Sequence, residues 1–449
     1  VKYQTTRGEL LRLRASVLTF TDLPRPDDES GWVYLDDAVL TARDGLIESI
    51  VPWEVWVQDG DTTAAVEHLP GALIMPGFID AHIHAPQINM MASYGRQLLD
   101  WLEQFTFPEE ARYADPAYAA LHIERFFDTL LANGTTCAMV FATVHEHTAE
   151  LLFAGAQRRH MCLLAGKVIT DRNVPNALHE SLQAGIDASA RLIDRWHGKD
   201  RLRYAVTPRF AITSTPQQLA ATGRLLESKT GLYLQTHLAE NRQEVEQTQA
   251  LFPDSLDYLD VYHAHGLCGP RSVFAHGIHL SDRELDQLAQ SRSVIAFCPT
   301  SNLFLGSGLL NVGRLRQHDV PMAVATDVGA GTSFSMLRTL SEGYKVMQLQ
   351  GQSWHPLEAL YAITLGNARA LGLDGEIGSL EPGKFADLVV LEPRASPQLE
   401  TRLHERLQDI GSDGSSLTDR LFALLMLADD RNVARTYVAG RLVHQRTHL

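Results

Sequence analysis

The sequence predicts an α/β protein: a (β/α)8 barrel of TIM-like architecture, with a small β-sandwich domain made from the N- and C-terminal segments. Three observations point that way. Eight short apolar runs between Ala72 and Thr326 alternate with amphipathic stretches, the rhythm of a parallel sheet with helical crossovers. β-rich segments flank that region on both sides. The apolar runs also end repeatedly in His, Asp, Arg or Lys, and such a barrel carries its site at the C-terminal ends of its strands.

Residues 1–71 read as the first part of the β domain. LLRLRASVLTF, WVYLDDAVLTA and GLIESIVPW alternate or cluster β-formers, with turns at ARDG and QDGD. The barrel is assigned to 72–374. Its candidate strands are ALIMPGFI (72–79), TTCAMVFA (135–142), MCLLAGKVI (161–169), LRYAVT (202–207), GLYLQTH (231–237), SVFAH (272–276), SVIAFC (293–298) and VPMAVAT (320–326). Helices are expected between them, for example in ALHIERFFDTLLAN (120–133) and QQLAATGRLLESK (217–229). The first connection, from Ala85 to about Pro116, is long and carries Trp101, Phe105 and Phe107. Connections of that length are usually functional, and the aromatics suit a lid or a subunit contact. Residues 375–449 return to a β pattern in GEIGSLEPGKFADLVVLE (375–392) and VARTYVAGRLVHQ (433–445), with a helical insertion between them and a flexible loop expected at GSDGSS (411–416).

With 45% hydrophobic and 21% charged residues, the chain has ample material for a large core. A formal net charge of -15 argues against nucleic acid or an anionic membrane surface as a partner. Cys137, Cys162, Cys268 and Cys298 form no CxxC pair and sit in or near apolar runs, so they are expected to be reduced core residues of a cytosolic protein. The opening stretch, VKYQTTRGELLRLRASVLTF, has no uninterrupted apolar h-region, and no stretch reaches membrane-spanning length. A soluble, cytoplasmic protein is the expectation.

The strand ends carry the chemistry. The first delivers Asp80, His82 and His84; on an extended segment the two-residue spacing puts both imidazoles on one face. The third gives Lys167, and the fourth leads to Arg209 and Phe210. The fifth ends in His237, with Glu240 three residues on. The sixth ends in His276, the seventh leads to Pro299, Ser301 and Asn302, and the eighth ends in Asp327. Each group alone has an ordinary explanation, such as a hydrogen-bonded core histidine or a helix N-cap. Arriving together at one end of one barrel, His82, His84, His237 and Asp327 suit a Zn²⁺ site with mixed nitrogen and oxygen ligation.

HIHAPQ, LDWLEQFTFPEE (99–110), TPRF, QTHLAEN, FAHGIHLS, CPTSNLFLGSG and TDVGAGTS together resemble the motifs of the amidohydrolase superfamily and, within it, of the guanine deaminases. The likeness runs from Pro76 to Ser333, and the flanking β segments match as well. HxH with a later His, His and Asp is shared across the superfamily; HAPQ, TFPEE and TPRF narrow it to guanine. The resemblance implies one zinc per subunit, held by His82, His84, His237 and Asp327, and hydrolysis of guanine to xanthine and ammonia in purine catabolism. It implies that Glu240 shuttles a proton to the ring nitrogen beside C2, that Asp327 accepts the water's proton and passes it to the leaving amine, and that His276 orients and polarises the attacking nucleophile. Arg209, whose guanidinium fork matches O6 and N7 of guanine, Gln87 and Phe210 would read the base, making the substrate-binding set with His84, His237, Glu240, His276 and Asp327. A homodimer is implied too.

Some amidohydrolases carry a carbamylated lysine between two metals. Lys167 lies on the third run rather than the fourth, so an unmodified lysine and a single ion are expected. His145 and His147, in VHEHTAE, form a second His-x-His pair, read as loop or helix-start residues. The motifs also admit two other readings: an enzyme acting on another aminated or halogenated heterocycle, against which Arg209 and Gln87 argue, and a non-catalytic scaffold of the same fold, which would have lost ligands that are all present here.

Overall fold

The structure is a computed structural model, and it describes residues 9–58, 65–95, 97–407 and 414–447. The QDGD turn from residue 59 and the first three residues of GSDGSS lie outside that range; the helix Gly414–Leu427 begins within the latter motif.

The strands are β1 (Leu10–Arg25), β2 (Ser30–Arg43), β3 (Leu46–Pro52), β4 (Glu67–Pro76), β5 (Phe78–His84), β6 (Thr135–Phe141), β7 (Cys162–Gly166), β8 (Val168–Ile169), β9 (Leu202–Pro208), β10 (Tyr233–Leu238), β11 (Ser272–His276), β12 (Val294–Phe297), β13 (Met322–Val324), β14 (Leu388–Leu391), β15 (Val433–Val438) and β16 (Arg441–Gln445). Eight of them, in the order β13-β12-β11-β10-β9-β7-β6-β5, pair in parallel. The short β8 continues the third run and pairs with β9. Helices such as Pro116–Ala132 and Pro216–Glu227 cover the outside, each opened by an N-cap side chain, Asp115 or Thr215, with proline at the first helical position.

Side chains on these strands divide by parity, as strand geometry requires. Ile79, Ala81, Cys137, Met139, Cys162, Leu164, Ala205, Ala275, Ala296 and Ala323 pack within the barrel. Ala138, Val140, Leu163, Ala165, Tyr204, Val206, Phe274 and Ile295 belong to the larger core shared with the helices. The inner set mixes small Ala and Cys with Ile79, Met139, Leu164, Val273 and Val294, so the interior is a packed core. All four cysteines are free thiols.

The barrel closes between β5 and the end of β13. Asp327 N–H donates to the His82 carbonyl at 3.0 Å and His84 N–H to that of Val328 at 2.7 Å. The Asn367 amide bonds the carbonyls of Ile79 and Val324 and the Val324 N–H, and Asp80 accepts from both Thr326 N–H (3.1 Å) and Thr326 Oγ1 (2.5 Å).

The terminal segments form one seven-stranded mixed sheet, β16-β15-β14-β4-β1-β2-β3. One face (Leu13, Ala15, Val17, Leu40, Ile74, Leu388, Val390) makes its own apolar cluster. The alternate residues Leu18, Phe20, Leu73, Met75, Val389 and Leu391 join the barrel core. The run expected as a single strand over 72–79 is two strands. Ala72–Pro76 belongs to β4 in the mixed sheet and Phe78 begins β5 in the barrel. Gly77 stands at the switch, where an added Cβ would meet Thr136 Oγ1 at 2.2 Å. The buried Arg201–Asp387 pair, with Nη1 to Oδ1 at 3.0 Å, ties the start of β9 to the segment leading into β14.

Candidate active site

A β-bulge decides where the first histidine pair points. Asp80 pairs with Ala138 on β6 and Ile83 with Val140, so two residues of β5 face one of β6. The extra residue changes the inward parity from Ile79 to His82 and His84. Both imidazoles then lie against the Phe141 ring, at centroid distances of 5.0 and 4.6 Å.

Across the barrel mouth, His237 is the penultimate residue of β10, His276 ends β11, and Asp327 follows β13. His84 Nε2 is 3.2 Å from both His82 Nε2 and His237 Nε2. Asp327 Oδ1 is 3.2 Å from His82 Nε2 and 3.3 Å from His84 Nε2. Ligands about 2.0–2.1 Å from a tetrahedral zinc lie roughly 3.3 Å from one another, so these separations are those of a metal's coordination shell. His237 Nδ1 is 2.7 Å from the Arg209 carbonyl and donates to it, which leaves the Nε2 lone pair turned toward the other imidazoles. His276 also approaches: the donor atoms of His82, His237, His276 and Asp327 fall within 4.8 Å of one another.

Electrostatics agree with that arrangement. Burial pushes His84 down to about 4 and His237 well below its usual value, so both are neutral bases at pH 7. Burial alone would raise Asp327, but the His82 and His84 imidazoles outweigh it and hold the carboxyl well below the usual range. Neutral imidazole and ionised carboxylate are the forms that ligate a cation. The backbone is strained here: His276 has φ of 75° and Asp327 of 51°, in a region non-glycine residues rarely adopt.

Glu240 lies beyond β10 with Oε2 3.4 Å from His276 Nε2, and its Oε1 accepts from Ser307 Oγ at 3.1 Å. Burial, then the charge of Asp327, raises it to about 8. His276 Nδ1 is held by Asn302 Oδ1 at 2.8 Å, turning Nε2 toward Glu240 and toward Asp327 Oδ2 at 3.8 Å. A cleft over these groups is lined by His84, Gln87, Arg209, Phe210, His237, Glu240, His276 and Asp327, and roofed by Leu98, Trp101 and Leu102. The long first connection is thus largely helical over Leu98–Arg112, with Trp101 and Phe107 buried in a cluster beside the cleft.

Residues 73–443 match the amidohydrolase family. The chain belongs to that family. Within this amidohydrolase family, the chain is 46% identical over 440 residues to the guanine deaminase of Escherichia coli (strain K12), covering 97% of this chain and 98% of that protein. The solved structure of E. coli guanine deaminase superposes with a TM-score of 0.92 at 44% identity, covering 98% of this chain and 100% of that one. A crystal structure of guanine deaminase from C. acetobutylicum with bound guanine in the active site matches at TM-score 0.85 and 26% identity, over 97% and 100% of the two chains. Among the described residues, no helix is long and apolar enough to cross a membrane.

Every residue singled out at the amidohydrolase strand ends for ligation, proton transfer or base reading lies in or against this one cleft. Asp80 does not; it clasps the barrel closed through Thr326, and burial raises it to about 6. Lys167 stands apart as well, its ammonium bonded to Glu180 and to the Val168 carbonyl. Sequence reasoning missed Glu110, which bonds Arg209 Nη1 at 2.7 Å and Gln87 Nε2 at 3.0 Å. The TFPEE motif was its signal, but nothing local says which acid turns inward. Ser307 was likewise unassigned, and Asn302 carried no role until its contact with His276 was visible.

Proposed function

We propose that this chain hydrolyses guanine to xanthine and ammonia with one zinc ion held by His82, His84, His237 and Asp327. The observation that carries the reading is the set of four donor atoms at coordination-shell spacing beneath a cleft that also presents Arg209, Gln87 and Phe210. The 46% identity to the E. coli guanine deaminase over 97% of this chain supports it. When bound, zinc is a Lewis acid that makes water nucleophilic near neutral pH.

The chain's own residues do the rest. Asp327 faces the histidines with Oδ1 and His276 with Oδ2, so Oδ2 is the atom that accepts the proton of the attacking water. His276, fixed by Asn302, directs that water toward C2. Glu240, raised to about 8, carries a proton at neutral pH and delivers it to the ring nitrogen beside C2. As the C2 hydroxyl becomes a carbonyl its proton returns to Glu240, and the amine leaves as ammonia with the proton held by Asp327. Arg209 and Gln87 hold the O6 and N7 side, Phe210 walls the ring, and Trp101 and Leu102 exclude bulk water.

The test is incubation of purified, metal-analysed protein with guanine, following xanthine and ammonia. Absence of both from zinc-loaded protein overturns the reading. An ammonia-release screen over purines, pyrimidines and triazines separates it from action on another heterocycle. From the same likeness we infer a cytoplasmic homodimer, which sedimentation and cell fractionation test.

A further inference from the structure

Arg209 and Gln87, the two groups assigned to the purine edge, are not free to turn. Glu110 Oε2 accepts from Arg209 Nη1 at 2.7 Å, and Glu110 Oε1 accepts from Gln87 Nε2 at 3.0 Å. The Gly329 N–H donates to Gln87 Oε1 at 3.2 Å. The pair is dry: the Arg209 and Glu110 side chains are 4% and 1% exposed. The guanidinium also sits 5.4 Å from the Phe107 ring centroid, on the same helix, Phe107–Arg112, that carries Glu110.

One carboxylate therefore does three things. It fixes the Gln87 amide, since the nitrogen is bonded to Glu110 and the oxygen to the Gly329 amide. It aims Arg209 by holding one end of the fork and leaving the rest for a ligand. It also cancels a buried positive charge. Guanine is a neutral base at physiological pH, and a lone buried guanidinium would favour an anion in its place.

We propose that Glu110 is a specificity-determining positioning residue, which orients Arg209 and Gln87 and neutralises Arg209 so that the cleft selects a neutral purine over an anionic one. This rests on the reading of the chain as a guanine deaminase. Glu110 touches no reacting atom and acts through Arg209 and Gln87.

The decisive variant is Glu110→Gln, assayed for guanine turnover and for inhibition by urate, a purine that is a monoanion at neutral pH. The guanine KM should rise about tenfold or more while the urate inhibition constant falls about tenfold, with zinc content unchanged. A merely loosened structure weakens both. In an Arg209→Ala background the same substitution should leave the urate constant within about twofold, because the charge effect runs through Arg209, and in an Arg209→Ala, Gln87→Ala background it should leave the guanine KM within about twofold as well. Guanine and urate affinities that weaken together, or that do not move, overturn the proposal. Should Glu110→Gln not fold, Glu110→Asp keeps the charge but not the reach: a raised guanine KM with unchanged urate inhibition supports the orienting role, and no change in either overturns it. Failure of the functional reading is distinct, since the unsubstituted protein would then release no ammonia from guanine.

Discussion

Two His-x-His pairs of identical spacing lie 63 positions apart in this chain, and the tertiary structure gives them opposite fates. His82 and His84 end a barrel strand, are turned inward by a bulge, and meet His237 and Asp327 at 3.2–3.3 Å. His145 and His147 follow the next strand and open the helix Glu146–Arg158. Their rings stack on each other at 5.7 Å, and His147 Nε2 bonds the Tyr113 carbonyl at 2.8 Å. Neither lines the cleft. Spacing places two imidazoles on one side of the backbone; only what faces them makes a site.

The comparison breaks most decisively at the ligands. His237→Ala should abolish zinc binding and lower guanine turnover by at least about 10³-fold, and chelation of the unsubstituted protein should do the same until Zn²⁺ is restored. Metal analysis beside a xanthine assay checks both. Next comes Glu240→Gln, expected to reduce kcat by about 10²–10⁴-fold while zinc stays bound, the mark of a lost proton donor. Arg209→Ala should lower kcat/KM by roughly 10²-fold with metal content unchanged, since the base loses its fork but the ion keeps its ligands. The smallest effect belongs to the second pair. His147→Ala should leave kcat/KM within about threefold and cost about 1 kcal/mol of stability, the worth of one hydrogen bond. A loss of zinc on substituting His147 would erase the contrast on which this reading stands.

The same contrast governs how much was legible beforehand. The barrel could be counted because each apolar run keeps a strand's length and is followed by a helix with its own N-terminal signals, as at Asp115-Pro116 and Thr215-Pro216. The candidate ligands were visible because they are chemically distinct residues at the ends of those runs. The division at Gly77 was not, since Ala72–Pro76 and Phe78–His84 are equally apolar and separate only by which sheet each joins. Nor was the clasp role of Asp80, whose partner Thr326 is 246 residues away.

What the amino-acid order determined by itself is local: the period of each element, its caps, and which side chains can bind a cation or a base. Those properties depend on neighbours within a turn or a pleat. Tertiary structure alone decided the inward parity at His82 and His84, the choice of Glu110 to hold Arg209 and Gln87, and the exclusion of His145 and His147. Each of these depends on register between distant strands or on the way a long connection folds back, and such contacts are settled by closure of the barrel and burial of its core.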